Sequence, residues 1–503
     1  MGYLAETVNI LAVVGAIRSR IVPVPPSSRA ALLDRFTVEV KNAYFARKAR
    51  PGWDGCIRYF GADGSFLSGF LPDIVEILEG DGHRVQYHDE RKKPERVREI
   101  PTKIRAGFEL RDYQAEIVQT FLTTTRGTVK AATNSGKTGI AVAITAALGC
   151  RTLFVVPGLD LAIQTVGVYR DLLPEARVGL LTGSGSDVRF DETNGVDIVV
   201  GNVQGIAAKA RQRVQRWNRK LGRKTWQLGA FTPAGRAFLG SFDFLVGDEL
   251  HLLTSADYGK ILDVCPAYFR LGLSATPSMG ERSRDLLFVG HFGDVIAEVS
   301  QTYLRDTGRS ATVRIELLDY APLEKIKAAT WPQQYQEGVV HCTARNAVIV
   351  DAVMTRDMTA GRRSMILVER YAQAAEIGQL LHARGVAWHW LSGQNRNERA
   401  DVLGRFRTEP RSVAVATRVM GTGIDIKEID SLTIAGGGGA AHTAVQRGGR
   451  VVRFYEGKDA VIRLPRDEGV YDERVVPPRK RFLERHYRTT VEALRTEGFR
   501  VDQ

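Results

Sequence analysis

Two apolar patterns alternate along this chain. Short, almost continuous apolar runs occur at 129–132, 153–156, 198–200, 244–246 and 271–273, and again at 365–368, 388–391, 413–416, 432–435 and 461–464. Runs of this length predict strands buried on both faces. Between them lie longer stretches with helical spacing. After the first run, Ile140, Ala143, Ile144 and Ala147 share one helical face. Alternating strands and helices predict parallel sheets covered by helices, and two sets of strands predict two such domains. The segment 280–340 carries no strong motif and is expected to include the linker.

Both ends of the chain differ. Pro23, Pro25 and Pro26 mark a loop, and 89–98 is a charged, proline-containing stretch of linker type. Within the first 98 residues one segment, 71–79, has helical spacing. The charged stretch is a natural boundary, so removal of 1–98 is expected to leave the rest folded. Past 465 a second charged, proline-rich connection ends at Pro477 and Pro478. A last helix is predicted there, with Phe482, Leu483, His486, Tyr487, Thr490, Val491 and Leu494 on one packing face and Gly498 as its cap.

Composition narrows the class. At 503 residues the chain is too long for one core. Lys and Arg number 70 against 57 Asp and Glu, so the formal charge is +13 and a polyanion partner is expected. Cys56, Cys150, Cys265 and Cys342 are far apart and form no CxxC pair. Neither a zinc site nor a disulfide framework is indicated, and a reducing, cytoplasmic compartment fits best. The apolar stretch 4–17 is interrupted by Glu6 and has no basic region before it, so it reads as part of a folded module rather than a signal peptide. No run is long enough to span a membrane.

The candidate chemistry starts at Ala131-Ala132-Thr133-Asn134-Ser135-Gly136-Lys137-Thr138. A strand, a turn and a helix start are what a triphosphate needs. Backbone N–H groups face the anion, Lys137 reaches the β- and γ-phosphates, and the Thr138 hydroxyl can ligate Mg²⁺. Asn134, Ser135 and Gly136 complete the turn. Ala131 stands where the motif usually has its first glycine. Downstream, Phe244-Leu245-Val246-Gly247-Asp248-Glu249-Leu250-His251 is an apolar run ending in two acids. A buried strand would deliver both carboxylates at its C-terminal end. Asp248 would hold the Mg²⁺ and its waters, and Glu249 would orient or deprotonate the attacking water.

The order of further motifs resembles that of superfamily 2 helicases. Leu110-Arg111-Asp112-Tyr113-Gln114 is similar to the adenine-recognition element of that superfamily, with Arg111 and Gln114 as the binding residues. Pro157 through Gln164 resembles the first nucleic-acid motif, and Gly201-Asn202-Val203-Gln204 a further DNA contact. Asp248 through His251 is a DExH box, and Ser274-Ala275-Thr276 the motif coupling hydrolysis to movement, with His251. Thr417 through Asp425 resembles motif five, with Thr417 on DNA and Gly423 and Asp425 near the nucleotide. Asp425 could pair an arginine or a ribose hydroxyl. Gln446-Arg447-Gly448-Gly449-Arg450-Val451-Val452-Arg453 matches the arginine motif. Arg450 and Arg453 share a helix face by spacing and are implied to neutralise charge on the transferring phosphoryl group, with Gln446 beside the nucleotide. The alternative, a solvated basic face, is disfavoured because this stretch makes a poor surface helix.

The whole chain resembles the UvsW family of phage recombination-repair helicases, and more distantly XPB and RecG. The resemblance implies an α/β fold with two RecA-like parallel-sheet domains, a small N-terminal α/β domain and a C-terminal helical extension. The implied divisions are 1–98 for nucleic-acid binding, 99–300 and 301–465 for the two motor domains, and 466–503 for the extension. It implies ATP and Mg²⁺ as cofactors and DNA as partner, as single strand, duplex, fork or junction. Unwinding, branch migration, fork regression and strand annealing are the implied activities. An RNA helicase and the translocase subunit of a restriction-type complex stand as alternatives.

Trp53-Asp54-Gly55 lies in a region similar to that family's N-terminal element; it reads as a turn with a buried Trp53, itself a DNA-binding candidate, and would present Arg47, Lys48, Arg50 and Arg58 to a phosphate backbone. The chain also departs from the family. The stretch 209–226 carries extra basic residues interleaved with Trp217 and Trp226, which suits either a nucleic-acid contact or a solvated basic helix. Leu464-Pro465-Arg466 stands where an acidic strand ending is expected.

Overall fold

The computed structural model describes residues 7–40, 53–94, 104–132, 135–183, 186–188, 195–218, 223–250, 256–275, 282–307, 313–391, 401, 404–406, 408–417, 429–437, 460–496 and 500–502. The chain divides into two compact units, one of Met1–Ala131 and Gly136–Glu298, the other of Ala132–Ser135 and Val299–Gln503.

The first unit begins with a small module. Its strands are β1 (Asn9–Val14), β2 (Arg18–Val22), β3 (Thr37–Glu39), β4 (Cys56–Arg58), β5 (Ser65–Leu67) and β6 (Arg84–Asp89). Four of them form a sheet in the order β5–β2–β1–β6, while β3 pairs with β4. Helices Pro26–Arg35 and Leu71–Gly80 supply Leu32, Ile74 and Leu78 to a core with Ile10, Phe36, Phe66 and Phe70. That core does not end with the module. Leu286, Leu287 and Val289, from the helix Arg282–Phe292, pack against it. The backbones touch as well: a Cβ at Gly69 would lie 1.9 Å from the Val289 carbonyl oxygen. The Tyr59 hydroxyl donates to the Ser283 carbonyl, and Arg282 donates to that of Arg35 at 2.9 Å. Residues 89–98 look like a boundary in composition, yet removing 1–98 uncovers the apolar face of this helix.

The first motor sheet contains β7 (Arg126–Ala131), β8 (Thr152–Val156), β9 (Val178–Leu181) and β10 (Ile198–Asn202). Next in the chain are β11 (Arg211–Asn218) and β12 (Arg223–Phe231), which among the described residues pair only with each other. The sheet resumes with β13 (Phe244–Asp248), β14 (Phe269–Ser274) and β15 (Val295–Val299), giving the order β15–β7–β14–β13–β8–β10–β9. From β7 to β9 every neighbouring pair is parallel. The stretch 209–226 is therefore not a basic helix. The helix Val203–Ala210 stops at its start, and an antiparallel ribbon follows.

The second unit holds β16 (Val313–Leu318), β17 (Ser364–Leu367), β18 (Trp388–Leu391), β19 (Val413–Ala416), β20 (Ser431–Ile434), β21 (Ala460–Pro465) and β22 (Arg500–Asp502). Their order is β18–β19–β17–β20–β21–β16–β22, all parallel. The segment 280–340, expected to include the linker, thus also supplies β15 to one sheet and β16 to the other. The last helix, Phe482–Thr496, buries Leu483, Tyr487, Thr490, Val491 and Leu494, as its periodicity predicts. Tyr487, Val491 and Leu494 join the core under the second sheet, and β22 extends that sheet beside β16. The fold is α/β, with two RecA-like parallel-sheet domains.

Candidate active site and nucleic-acid interface

The site is an edge. In a parallel sheet all strands end on the same side, and β7, β14 and β13 are neighbours. Ser274 pairs with Lys130, one residue before the end of β7, and Asp248 pairs with Leu273. Ala131, Ser274 and Asp248 therefore close three adjacent strands along one line.

After β7 the chain turns into the helix Lys137–Leu148. Gly136, before its first residue, has φ 79°, where glycine alone is unstrained. A Cβ there would also lie 2.4 Å from Gln114 Nε2. Gln114 is buried at the start of the helix Asp112–Thr124, and its Oε1 accepts the Arg111 backbone N–H at 3.0 Å. With the oxygen so engaged, the amide NH₂ is the end that faces Gly136. Arg111 donates from Nη1 to the Tyr113 hydroxyl at 3.0 Å. Lys137 Nζ donates to the Ala131 carbonyl at 3.0 Å, so its ammonium lies over the turn. Thr138 is half-buried in the first helical turn, and Ser135 is buried. N–H groups at this helix start have no helical acceptor and favour an anion.

Asp248 is buried and its Oδ1 accepts the Glu249 N–H at 2.8 Å. Burial pushes its carboxyl well above the ordinary range; the charge of Glu249 adds to this, and Lys137 opposes it. Glu249 has φ 54°, a left-handed backbone costly for a residue with a Cβ. Such strain persists only when the surroundings enforce it, and it aims this side chain differently from an extended residue. Gly247 leaves room for a residue the sequence did not reveal, since a Cβ there would lie 2.4 Å from the Tyr258 hydroxyl. Tyr258 is buried close enough to Asp248 for the carboxylate to raise its pKa further, after burial. Its sequence signal was only a tyrosine on the short helix Ala256–Leu262.

Ser274 is buried at the end of β14. Pro157 follows β8, and Gln164 is half-buried on the helix Leu159–Leu172. Gly201 and Asn202 end β10, but the Asn202 side chain serves the next helix, its Oδ1 accepting the Gly205 N–H at 3.1 Å. Gln204 is exposed, and Thr417 is buried after β19. In the leading module the Trp53 indole donates to the Cys56 carbonyl at 2.9 Å, and Arg58 forms an ion pair with Asp54. Arg47, Lys48, Arg50, Asn134, His251, Thr276, Gly423, Asp425, Gln446, Arg450 and Arg453 lie outside the described residues.

Two residues beyond the last long strand, which ends at Pro465, Asp467 is buried. It receives Arg345 Nε on Oδ1 at 2.8 Å and Nη2 on Oδ2 at 3.1 Å.

The family described as type III restriction enzyme, res subunit, matches residues 107–279, and the helicase conserved C-terminal domain matches 345–455. The DNA 3'-5' translocase XPB2 of Sulfurisphaera tokodaii is 24% identical over 397 residues, covering 71% of this chain and 82% of that one. T4 UvsW aligns over 98% of both chains at 18% identity, with a TM-score of 0.43. The ATP-dependent type ISP restriction-modification enzyme LlaBIII bound to DNA aligns with 77% of this chain and 30% of its own, at 17% identity and a TM-score of 0.53. A type III restriction res-subunit match on the first sheet and a helicase C-terminal match on the second, in tandem, identify superfamily 2 helicase domains in this chain.

Proposed function

We propose that this enzyme is an ATP-driven DNA translocase that remodels branched intermediates by unwinding, branch migration, fork regression and strand annealing in recombination, repair and replication restart. The observation that carries the reading is the shared edge of β7, β14 and β13, where Lys137, Asp248, Glu249 and Ser274 meet. Lys137 leaves its carbonyl partner for the β- and γ-phosphates. Gln114, held by Arg111, meets the adenine. Glu249 orients and deprotonates the attacking water, and Arg450 and Arg453 complete the charge balance. Gly423, Asp425 and Gln446 line the nucleotide, while His251, Ser274 and Thr276 couple its state to movement. Pro157, Gln164, Gly201, Gln204 and Thr417 touch DNA.

The residues fit Mg²⁺. This ion is usually held by one or two carboxylates with substrate phosphates, and Asp248 with the Thr138 hydroxyl is such a set. When bound it would offset phosphate charge.

The test is ATP turnover with single strand, duplex, fork, Holliday junction and RNA. Forks and junctions should stimulate most. Glu249→Gln should keep nucleotide affinity and lose turnover by ~10²–10⁴-fold. Equal turnover in the variant would remove the assignment of Glu249, and stimulation by RNA alone would replace DNA as substrate. The restriction-type match over 107–279 supports a second reading, a translocase subunit serving a partner nuclease, which copurification of a nuclease would favour.

A further inference from the structure

The ribbon of β11 and β12 takes no part in the site above. Residues 211–231 hold Arg211, Arg213, Arg216, Arg219, Lys220, Arg223 and Lys224 and not one acid. Its root is fixed. Arg211 is buried and donates to the Gly229 carbonyl at 2.7 Å and the Leu228 carbonyl at 2.9 Å, with Asp257 as its ion-pair partner. Phe231 is buried in the motor core, and Leu228 packs against it. Gly235 lets the chain leave β12 close to β11, since a Cβ there would lie 2.2 Å from the Ala210 carbonyl oxygen.

Beyond the root, the register opposes Gln215 to Trp226 and Trp217 to Lys224. Residues alternate between faces of a ribbon, so Arg213, Gln215, Lys224, Trp226 and Leu228 share one. Trp226 is 58% exposed on it, with the Arg213 guanidinium 5.7 Å from the ring centroid. Leu228, on the same face nearer the root, meets the core; Trp226 is too far out to do so. A phosphate backbone alone would need only the cations. An exposed indole among them adds a stacking surface, which an unpaired base can use and a base inside a duplex cannot.

We infer that this face of the ribbon is a binding site for an unpaired DNA strand, one base stacking on Trp226 and the flanking phosphates meeting Arg213 and Lys224. The site rests on the DNA-translocase reading and adds to it a place where the separated strand is held by the first motor domain.

The experiment measures affinity for a fluorescent oligothymidylate and for a blunt duplex of equal length, by anisotropy at fixed salt. Trp226→Ala should weaken single-strand binding ~5–150-fold, the range for losing one stacked base. Trp226→Phe should retain most of the affinity, because a ring remains. The duplex should bind Trp226→Ala nearly as well as wild type, and melting temperatures should agree among all three proteins. Arg213→Ala and Lys224→Ala should each lower the salt slope by ~1. Equal losses for duplex and single strand in Trp226→Ala would make the ribbon a duplex contact and overturn the inference. Wild-type affinity of Trp226→Ala in an enzyme stimulated by DNA would overturn it too, leaving the function standing. A wild-type protein that binds no DNA would overturn both.

Discussion

The two motor sheets are built alike and use charge differently. In the first, charge gathers at the strand ends. Asp248 is buried beside Glu249, with Lys137 the opposing cation, and its carboxyl is raised in consequence. In the second, charge lies inside. Arg345 gives Nε and Nη2 to Asp467 and Nη1 to the Ala435 carbonyl. Arg463, 0% exposed on β21, gives Nε to Glu316 at 2.7 Å and Nη1 to Asp357 and Ser431 at 2.6 Å each. Burial removes water from both sets of charges. In the second sheet guanidinium groups replace it. In the first the buried Asp248 carboxyl stays raised beside Glu249 although Lys137 opposes it, and such a perturbed group marks a place for a ligand.

The largest effect should come from the interior charges. Arg463→Met leaves Asp357 and Glu316 without their shared guanidinium, which should cost ~3–5 kcal/mol, read by urea denaturation. Adding Asp357→Asn should recover part of it, because the buried carboxylate left with only Arg362 and Ser364 is then neutral. A single variant as stable as wild type would show that Arg463 is no counter-charge, and the contrast between the sheets would fail.

The edge should behave in the opposite sense. A carboxyl raised in the folded state binds a proton that the unfolded chain has released. Stability therefore falls as pH rises from the unfolded value, ~3.9, to the higher folded value, and stays lower above it. Asp248→Asn removes that penalty. It should melt at a higher temperature than wild type at pH 8 without nucleotide, while losing ATP turnover. The wild-type kcat/KM profile should carry an acid limb above the ordinary carboxylate range. An Asp248→Asn protein less stable than wild type at pH 8 would mean that Asp248 is a structural partner like Asp467.

What the sequence disclosed follows the same division. Strands buried on both faces have no choice but continuous apolar runs, so 153–156, 244–246 and 413–416 all mark real strands. Asp248 and Glu249 were visible because a strand end fixes where they point. The ribbon was not legible. It stands off the core, so nothing imposes apolar alternation, and Lys209, Arg213, Arg216, Lys220 and Arg223 happen to fall three and four apart, the helical period. The shared core of the leading module was hidden too, because the helix Arg282–Phe292 and Phe70 are more than 200 residues apart. Likewise Arg345 and Asp467 meet only in space, 122 residues apart.

A charge that is paired but exposed gives the mildest test. Arg58 and Asp54 are about half exposed, 51% and 48%, and the Arg58 hydrogen bond, followed by the Cys56 N–H, lowers the Asp54 carboxyl to about 2. At neutral pH Asp54 is a full anion beside the guanidinium, so a phosphate approaching Arg58 meets a nearly neutral pair. The turn itself is held otherwise, by Trp53 on the Cys56 carbonyl and by Gly55 at φ 87°. Arg58→Ala should then change the salt slope of DNA binding by well under the ~1 expected of a free phosphate contact, and Asp54→Asn, by releasing Arg58, should steepen it by up to ~1. The measurement is affinity for one fork over a series of salt concentrations. A full unit lost in Arg58→Ala would mean that DNA displaces Asp54, and that an exposed pair, unlike the buried pairs of the second sheet, can be exchanged for a phosphate.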